Sequence, residues 1–248
     1  MRNYKAAVML MSSVLFAVPS FADAVSVRPN LSYDYTTGSD NYYANSGSAE
    51  LAVRWNEAWK SYFIYSLTGD SDYDMIHGIT VRAKRYFEKD FNLRAGYTYS
   101  SGKLKGASNA SASSSIDLKG TKYVGDHWEF ALGYIYITGS LSSPETRTLM
   151  NINTGAIRLI QDELESNYSA NAFRAASGYE FDGTLKDLVI LFTLGATLNS
   201  SRTTTYSQTG EISYLLPYDI SIAFASQWTE DTRDRKSNYL NFALSKRF

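Results

Sequence analysis

Ten charged side chains are the most promising groups for chemistry in this sequence, because they share one predicted strand face and the first five of them lie near predicted short turns on four consecutive strands. They are Arg54, Lys60, Arg82, Lys84, Arg94, Lys119, Glu129, Arg174, Glu211 and Arg247. Guanidinium and ammonium groups bind carboxylates and phosphates through charge-assisted hydrogen bonds. On one enclosed surface they would exchange the hydration shell of an anionic solute for direct contacts.

A structural interpretation of the same residues stays open. Carboxylates such as Asp117, Glu129 and Glu211 share the predicted face with the cations. Opposite charges in a narrow interior can pair and hold it rigid, which would close the path of a solute. Mixed signs predict weak selectivity, and the local excess of basic groups favours anions.

His77 and Ser101 are the residues that could support catalysis. If the turn near Lys89 sets the register, they lie opposite each other on neighbouring strands, on the outward face. An imidazole beside a serine hydroxyl can remove its proton for attack on a lipid ester. No third group that would orient the imidazole is evident, so we favour a histidine of the headgroup region and expect no catalytic residue.

Asp70, Asp72 and Asp74 alternate in one predicted loop, as carboxylates do in calcium-binding loops. Such a loop needs glycine at its sixth position and glutamate at its twelfth, where this chain has Met75 and Val81. We therefore expect a solvated loop, no metal site and no cofactor.

The elements that must position these groups are strands, because side-chain character alternates with a period of two. From Trp59, for example, Phe63 and Tyr65 share one face while Lys60 lies on the other. Such runs predict twelve strands. Their starts fall near Ala24, Gly47, Ala58, Asp74, Asp90, Ala112, His127, Glu163, Lys186, Thr203, Asp219 and Lys236. A change of phase near Ala172 predicts a bulge in the eighth strand.

Connection lengths and charge indicate how the strands associate. Predicted short turns alternate with longer loops, such as Thr36–Ser46 and Ser140–Asp162. Alternating loop lengths and an even strand number are typical of membrane-spanning barrels. One strand face carries too many charges for a dry core, so the apolar face must meet lipid and the sheet must close. We expect an all-β, antiparallel transmembrane β-barrel with short periplasmic turns, longer extracellular loops and the ten charged residues lining the pore.

Aromatic residues near the predicted strand ends favour the same architecture. Trp128 and Tyr123 flank one short turn, and Tyr65, Tyr99 and Tyr168 fall near the opposite ends. Tyrosine and tryptophan suit the headgroup zone because one part of the ring system is apolar and the other is polar. We expect these residues in two outward girdles.

The first segment is typical of a secretory signal peptide. Arg2 and Lys5 precede an apolar stretch, and Ala22 is a small residue before the expected cleavage site. The stretch is shorter than the roughly 20 apolar residues of a spanning helix. We expect residues 1–22 to be the signal peptide and residues 23–248 to be the barrel.

Composition excludes several other classes. The chain has 248 residues, 24 basic and 25 acidic side chains, no cysteine, 20 tyrosines and 4 prolines. A net charge near zero argues against a general nucleic-acid binder. The absence of cysteine excludes disulfide scaffolds, thiol chemistry and cysteine-ligated zinc.

The alternating strands, the leader and the chain end together resemble bacterial outer-membrane β-barrel proteins. The end, Leu240, Phe242, Leu244 and Phe248, is similar to the signal that such proteins present to their insertion machinery. Twelve strands with a basic lumen are also similar to the oligogalacturonate-specific porin family, small channels for acidic oligosaccharides. The resemblance implies an outer-membrane location in a Gram-negative bacterium, with lipids, lipopolysaccharide and the insertion machinery as partners.

These observations lead to the expectation of a monomeric channel for passive diffusion of small hydrophilic solutes, with a mild preference for anions. Two alternatives remain: an outer-membrane lipid hydrolase, and a closed structural or adhesive barrel. In the last case the predicted hairpin of Ser140–Asp162, centred on Asn153, would be the contact surface.

Overall fold

Twelve antiparallel strands close into one barrel in the computed structural model, as the period-two pattern predicts. The structure describes residues 26–39, 41–71, 73–88, 90–104, 110–140, 149–150, 157–158, 167–185, 187–200 and 203–248. The barrel strands are β1 (Ser26–Gly38), β2 (Tyr43–Arg54), β3 (Trp59–Asp70), β4 (Tyr73–Glu88), β5 (Phe91–Leu104), β6 (Ala110–Val124), β7 (Trp128–Ser140), β10 (Asn167–Glu180), β11 (Leu188–Asn199), β12 (Thr204–Leu216), β13 (Ile220–Asp231) and β14 (Lys236–Arg247). The two-residue strands β8 (Leu149–Met150) and β9 (Ile157–Arg158) pair with each other within the predicted 140–162 hairpin.

Closure depends on the pairing of the first strand with the last. β1 and β14 pair from Asn30↔Arg247 to Gly38↔Tyr239. Every barrel strand therefore has two partners, and the sheet has no open edge. A closed sheet satisfies its backbone hydrogen bonds internally, as the hydrocarbon region of a membrane requires.

The two faces of the sheet carry different side chains. This difference suits a barrel that has lipid outside and a polar interior. Outward positions hold large apolar side chains that no other part of the barrel covers, such as Leu132 (71% exposed), Phe224 (51%) and Leu194 (46%). The inward neighbours of these residues are small, polar or charged. The expected transmembrane β-barrel is therefore confirmed, with its apolar face outward.

The two ends of the barrel have different connections. One end, called the turn end here, holds the connections 55–58, 89–90, 125–127, 181–187 and 217–219. The other, called the loop end, holds the longest connection, residues 141–166 between β7 and β10. Gly183–Leu185 forms a 3₁₀ turn in one turn-end connection, and Tyr218 and Asp219 have positive φ angles of 66° and 57° in another.

The predicted loop Thr36–Ser46 is wrong, because most of its residues belong to strands. β1 and β2 remain paired as far as Thr37↔Tyr43, so the connection contains only residues 39–42. Gly38 N donates to Tyr42 O at 3.0 Å and closes the turn. The polar side chains that suggested a loop are strand residues instead.

The predicted bulge near Ala172 is also wrong. β10 pairs without interruption with both β7 and β11. Register shifts occur elsewhere in the sheet, in the pairing of β4 with β5, at Tyr73/Met75 and Tyr86/Glu88. Unbroken alternation places Tyr168 on the inward face, where it is 5% exposed, rather than in the outward girdle. Tyr65 and Tyr99 do face outward, at 44% and 43% exposure.

The predicted signal peptide, residues 1–22, lies outside the described residues. Among the described residues, no helix has the length and apolar character needed to cross a membrane.

Candidate functional site in the barrel interior

A row of cations crosses five neighbouring strands at directly paired positions. The pairs are Arg54↔Lys60, Lys60↔Lys84, Lys84↔Arg94 and Arg94↔Lys119. Directly opposite residues in antiparallel strands have Cα atoms about 4.5–5.5 Å apart. The same row passes through Gly133 to Arg174 on β10. We call these six cations, Arg54, Lys60, Lys84, Arg94, Lys119 and Arg174, the cationic row.

The cationic row climbs along the barrel axis. Arg54 ends β2 at the turn end, whereas Arg174 lies in the middle of β10. Strands of a barrel are tilted against its axis, so a row that runs at right angles to the strands rises as it passes around the wall. The row therefore leads from the turn-end mouth to the middle of the interior.

Arg82, Arg94 and Asp117 form an ion-pair cluster beside this row. Arg94 Nη2 lies 3.1 Å from Asp117 Oδ2, and Arg94 Nε donates to the same oxygen at 3.2 Å. Arg82 Nε lies 3.9 Å from the other carboxylate oxygen, Oδ1. Arg82 and Asp117 are 6% and 7% exposed. One carboxylate thus compensates two guanidinium groups in a largely buried position.

Three further contacts hold the lysines of the cationic row. Lys119 Nζ lies 3.5 Å from Glu129 Oε1. Lys60 and Lys84 lie on the ring of Tyr86, with their Nζ atoms 5.3 and 4.7 Å from its centroid. Such cation–π contacts hold an ammonium group without neutralising it.

Arg174 has an unused donor, as Arg82 does at Nε. The Nη2 atom of Arg174 is buried and finds no acceptor among the described residues. A buried donor without an acceptor costs about 1–3 kcal/mol. Arg174 therefore offers a hydrogen bond toward the interior at a cost in stability.

Two cavities occupy this part of the barrel. One, of about 240 Å³, is lined by Asp117, Arg174, Thr193, Thr209 and Glu211 among others. The other, of about 260 Å³, lies toward the turn end and is lined by Glu50, Tyr62, Arg82, Lys84 and Tyr123 among others. Arg94 and Lys119 line both cavities, so these two cations stand where the cavities meet.

All ten predicted residues occupy inward positions of the alternation. Lys60, Arg82, Lys84, Arg94, Lys119, Glu129, Arg174 and Glu211 surround the cavities or neighbour their lining in the ladder. Arg54 and Arg247 are exposed at the turn-end mouth. That these ten residues line a pore stays a prediction.

Three inward tyrosines were not anticipated as part of the site. Tyr123 was expected in an outward girdle, but it lines the second cavity together with Tyr62. Tyr86 contacts the two lysines described above. The signal was present in the sequence, because each tyrosine lies an even number of residues from an inward lysine of its own strand, for example Tyr123 from Lys119.

The inward face of β7 and β10 changes character toward the loop end. Ile135, Ile137, Tyr168, Ala170 and Ala172 form a buried apolar cluster, with exposures between 0% and 5%. Charged residues on this wall therefore stop at Arg174, which marks the upper limit of the cationic row.

The proposed catalytic pair faces outward. His77 does lie opposite Ser101, as the turn near Lys89 predicts. Nδ1 of His77 is 2.8 Å from the hydroxyl of Tyr65, and no hydrogen bond joins His77 to Ser101 among the described residues. Likewise, the described residues contain no cluster of three or more histidine and carboxylate groups that could hold a metal ion. Asp70 is buried at the end of β3, and residue 72 lies outside the described residues.

Comparison with known proteins identifies the fold. No family model and no curated protein matches the sequence. Solved structures do: a KdgM porin in complex with disordered oligogalacturonate has a TM-score of 0.53 at 14% identity, over 88% of this chain and 98% of that one. A NanC porin has a TM-score of 0.56 at 10% identity, over 88% and 98%. An outer membrane channel from Pseudomonas putida F1 has a TM-score of 0.60 at 11% identity, over 93% and 99%. The chain therefore has the fold of bacterial outer-membrane β-barrel porins.

Proposed function

We propose that this protein is an outer-membrane channel for the passive diffusion of small hydrophilic solutes, with a mild preference for anions. The observation that carries the proposal is the cationic row, which leads from the turn-end mouth to the middle of the interior. Fixed cations along a low-dielectric wall attract anions and replace part of their hydration. The carboxylates of Asp117, Glu129 and Glu211 offset part of this charge, so the preference is mild.

The comparisons support a channel of this kind. The three structures named above are porins or a channel, and the KdgM porin was solved with an oligogalacturonate, a chain of anionic sugars. Its fold is shared by this chain, and the basic interior of this chain suits a solute that carries carboxylates. We propose that the turn end faces the periplasm, that a monomer forms the channel, and that Phe248, which is 62% exposed after β14, contacts the insertion machinery.

Planar-bilayer recordings under a salt gradient test the proposal. The purified protein should give discrete conductance steps and a reversal potential shifted toward that of the anion. Replacing Arg82, Lys84 and Arg94 by serine should shift the reversal potential toward the cation, because three positive charges leave the interior. An unchanged reversal potential in this triple variant contradicts the role of the basic residues.

The chain offers a matched control for this experiment. Arg85, Lys122 and Lys246 occupy outward positions near the turn end, and Arg85 lies 5.3 Å from the ring of Trp59. Replacing these three by serine removes the same charge from the outside of the barrel. The reversal potential of this variant should stay near that of the parent protein.

A closed structural or adhesive barrel is the second candidate. It is favoured by the buried ion-pair cluster around Asp117 and by the apolar cluster around Ile137, both of which fill space inside the barrel. This candidate predicts no conductance. Binding to a surface partner that is lost when residues 141–166 are deleted would support it.

A further inference from the structure

Asp117 has an unusual place among the interior carboxylates. Its side chain is 10% exposed and contacts Arg94 through Oδ2 and Arg82 through Oδ1. Glu211, which lines the same 240 Å³ cavity, makes no ion pair among the described residues. Asp117 is therefore bound where a carboxylate of a solute would also bind.

The position of the Asp117 carboxylate depends on Gly96. In the ladder, Gly96 lies between Arg82 on β4 and Asp117 on β6. A Cβ at residue 96 would overlap the carboxylate, and it would lie 2.9 Å from Asp117 Cγ and 3.0 Å from Arg82 Cγ. Real Cβ atoms do not approach other atoms so closely, so only glycine leaves room for this arrangement. We call this space above Gly96 the carboxylate seat.

The carboxylate seat determines how available Arg94 is to an entering anion. Arg94 lines both cavities, and Asp117 engages its Nε and Nη2 donors. An anion that moves between the cavities meets a guanidinium whose charge is already compensated. It must compete with Asp117 for these donors or use the donors that remain.

We propose that Asp117, seated on Gly96, is an internal competitor that sets how strongly the interior holds oxyanions. It keeps binding weak, which a diffusion channel needs because a solute must leave as readily as it enters. Asp117 is thus a specificity-determining residue whose effect is opposite to that of the cationic row. This inference rests on the proposed channel function.

Two variants test the inference by different routes. Asp117→Asn keeps the side-chain shape but removes the charge, and Gly96→Ala keeps all charges but displaces the carboxylate from its seat. Both should bind sulfate about tenfold more tightly than the parent protein, because charge-assisted hydrogen bonds of Arg94 become available. Sulfate binding is measured by calorimetry on the detergent-solubilised barrel, and the permeability ratio of anion to cation is measured in bilayers.

Matched controls separate the seat from general charge effects. Glu211→Gln removes one carboxylate from the same cavity, and Gly133→Ala adds a methyl group where the nearest atoms, Leu118 O and Arg174 Cβ, are 3.6 and 3.8 Å away. Glu211→Gln should tighten sulfate binding by about twofold at most, because it removes an interior negative charge but frees no guanidinium, and Gly133→Ala should change sulfate binding by less than that. Asp117→Asn adds no atom to the barrel wall, so it tests the inference even if Gly96→Ala does not fold.

The outcomes distinguish the inference from the channel proposal. If the parent protein conducts but Asp117→Asn binds sulfate no more tightly than Glu211→Gln, the inference is overturned and the channel stands. If Gly96→Ala folds and leaves sulfate binding unchanged, the seat has no role and the inference is overturned. If the parent protein does not conduct, the channel fails, and calorimetry alone decides whether Asp117 competes with oxyanions.

Discussion

Nδ1 of His77 lies 2.8 Å from the hydroxyl of Tyr65, on the outward face of the barrel. When the tyrosine donates this hydrogen bond, the neutral imidazole carries its proton on Nε2. That nitrogen is then a donor and cannot take a proton from Ser101, which is the cross-strand partner of His77. The register needed for a catalytic pair is present, but the imidazole is engaged elsewhere.

Lipid hydrolysis is accordingly expected to be absent. The purified protein should release no fatty acid from mixed micelles of detergent and phospholipid, and His77→Ala and Ser101→Ala should behave as the parent protein does. Tyr65→Phe, which frees Nδ1, should also show no turnover, because no third group that would orient the imidazole is evident. Fatty-acid release that disappears in both alanine variants would revive the hydrolase alternative.

The orientation of the two sheet faces predicts that the same substitution costs different amounts of stability at neighbouring residues of β11. Leu194 is outward and 46% exposed, whereas Thr193 lines an interior cavity. Leu194→Arg should lower the free energy of unfolding by about 2–4 kcal/mol, because a charge then meets the middle of the hydrocarbon. Thr193→Arg should cost clearly less. Urea unfolding of the protein reconstituted in liposomes measures both changes, and equal costs would contradict an apolar outer face and a polar interior.

Arg174 should be dispensable for stability, although its Nη2 atom is buried. Replacing it by methionine removes a guanidinium whose Nη2 has no acceptor among the described residues, so the free energy of unfolding should rise by about 1 kcal/mol. In the same variant, the reversal potential should shift toward the equilibrium potential of the cation. Arg247→Met, at the exposed turn-end mouth, should change stability by less than about 0.5 kcal/mol. A loss of stability in Arg174→Met would mean that the guanidinium is paired in the folded protein.

Strand number and the assignment of most side chains to a face could be predicted from the sequence. Both follow from alternation within one strand, as in the run from Trp59 to Leu67, and this period is a local property of extended backbone. The errors have local causes as well. Polar residues between Thr36 and Ser46 were interpreted as a loop although they continue the strands, and an assumed phase change moved Tyr168 to the wrong face.

The amino-acid sequence alone specifies which side chains point into the barrel, because period-two alternation needs no knowledge of the neighbouring strands. It does not specify which inward side chains meet, because the register between strands depends on turn geometry and on closure of the whole sheet. Only the folded barrel brings Arg54, Lys60, Lys84, Arg94 and Lys119 into one row. The contact of Asp117 with Gly96 is likewise decided by the folded barrel. It joins two strands, and Gly96 has no side chain that could indicate the contact in the sequence.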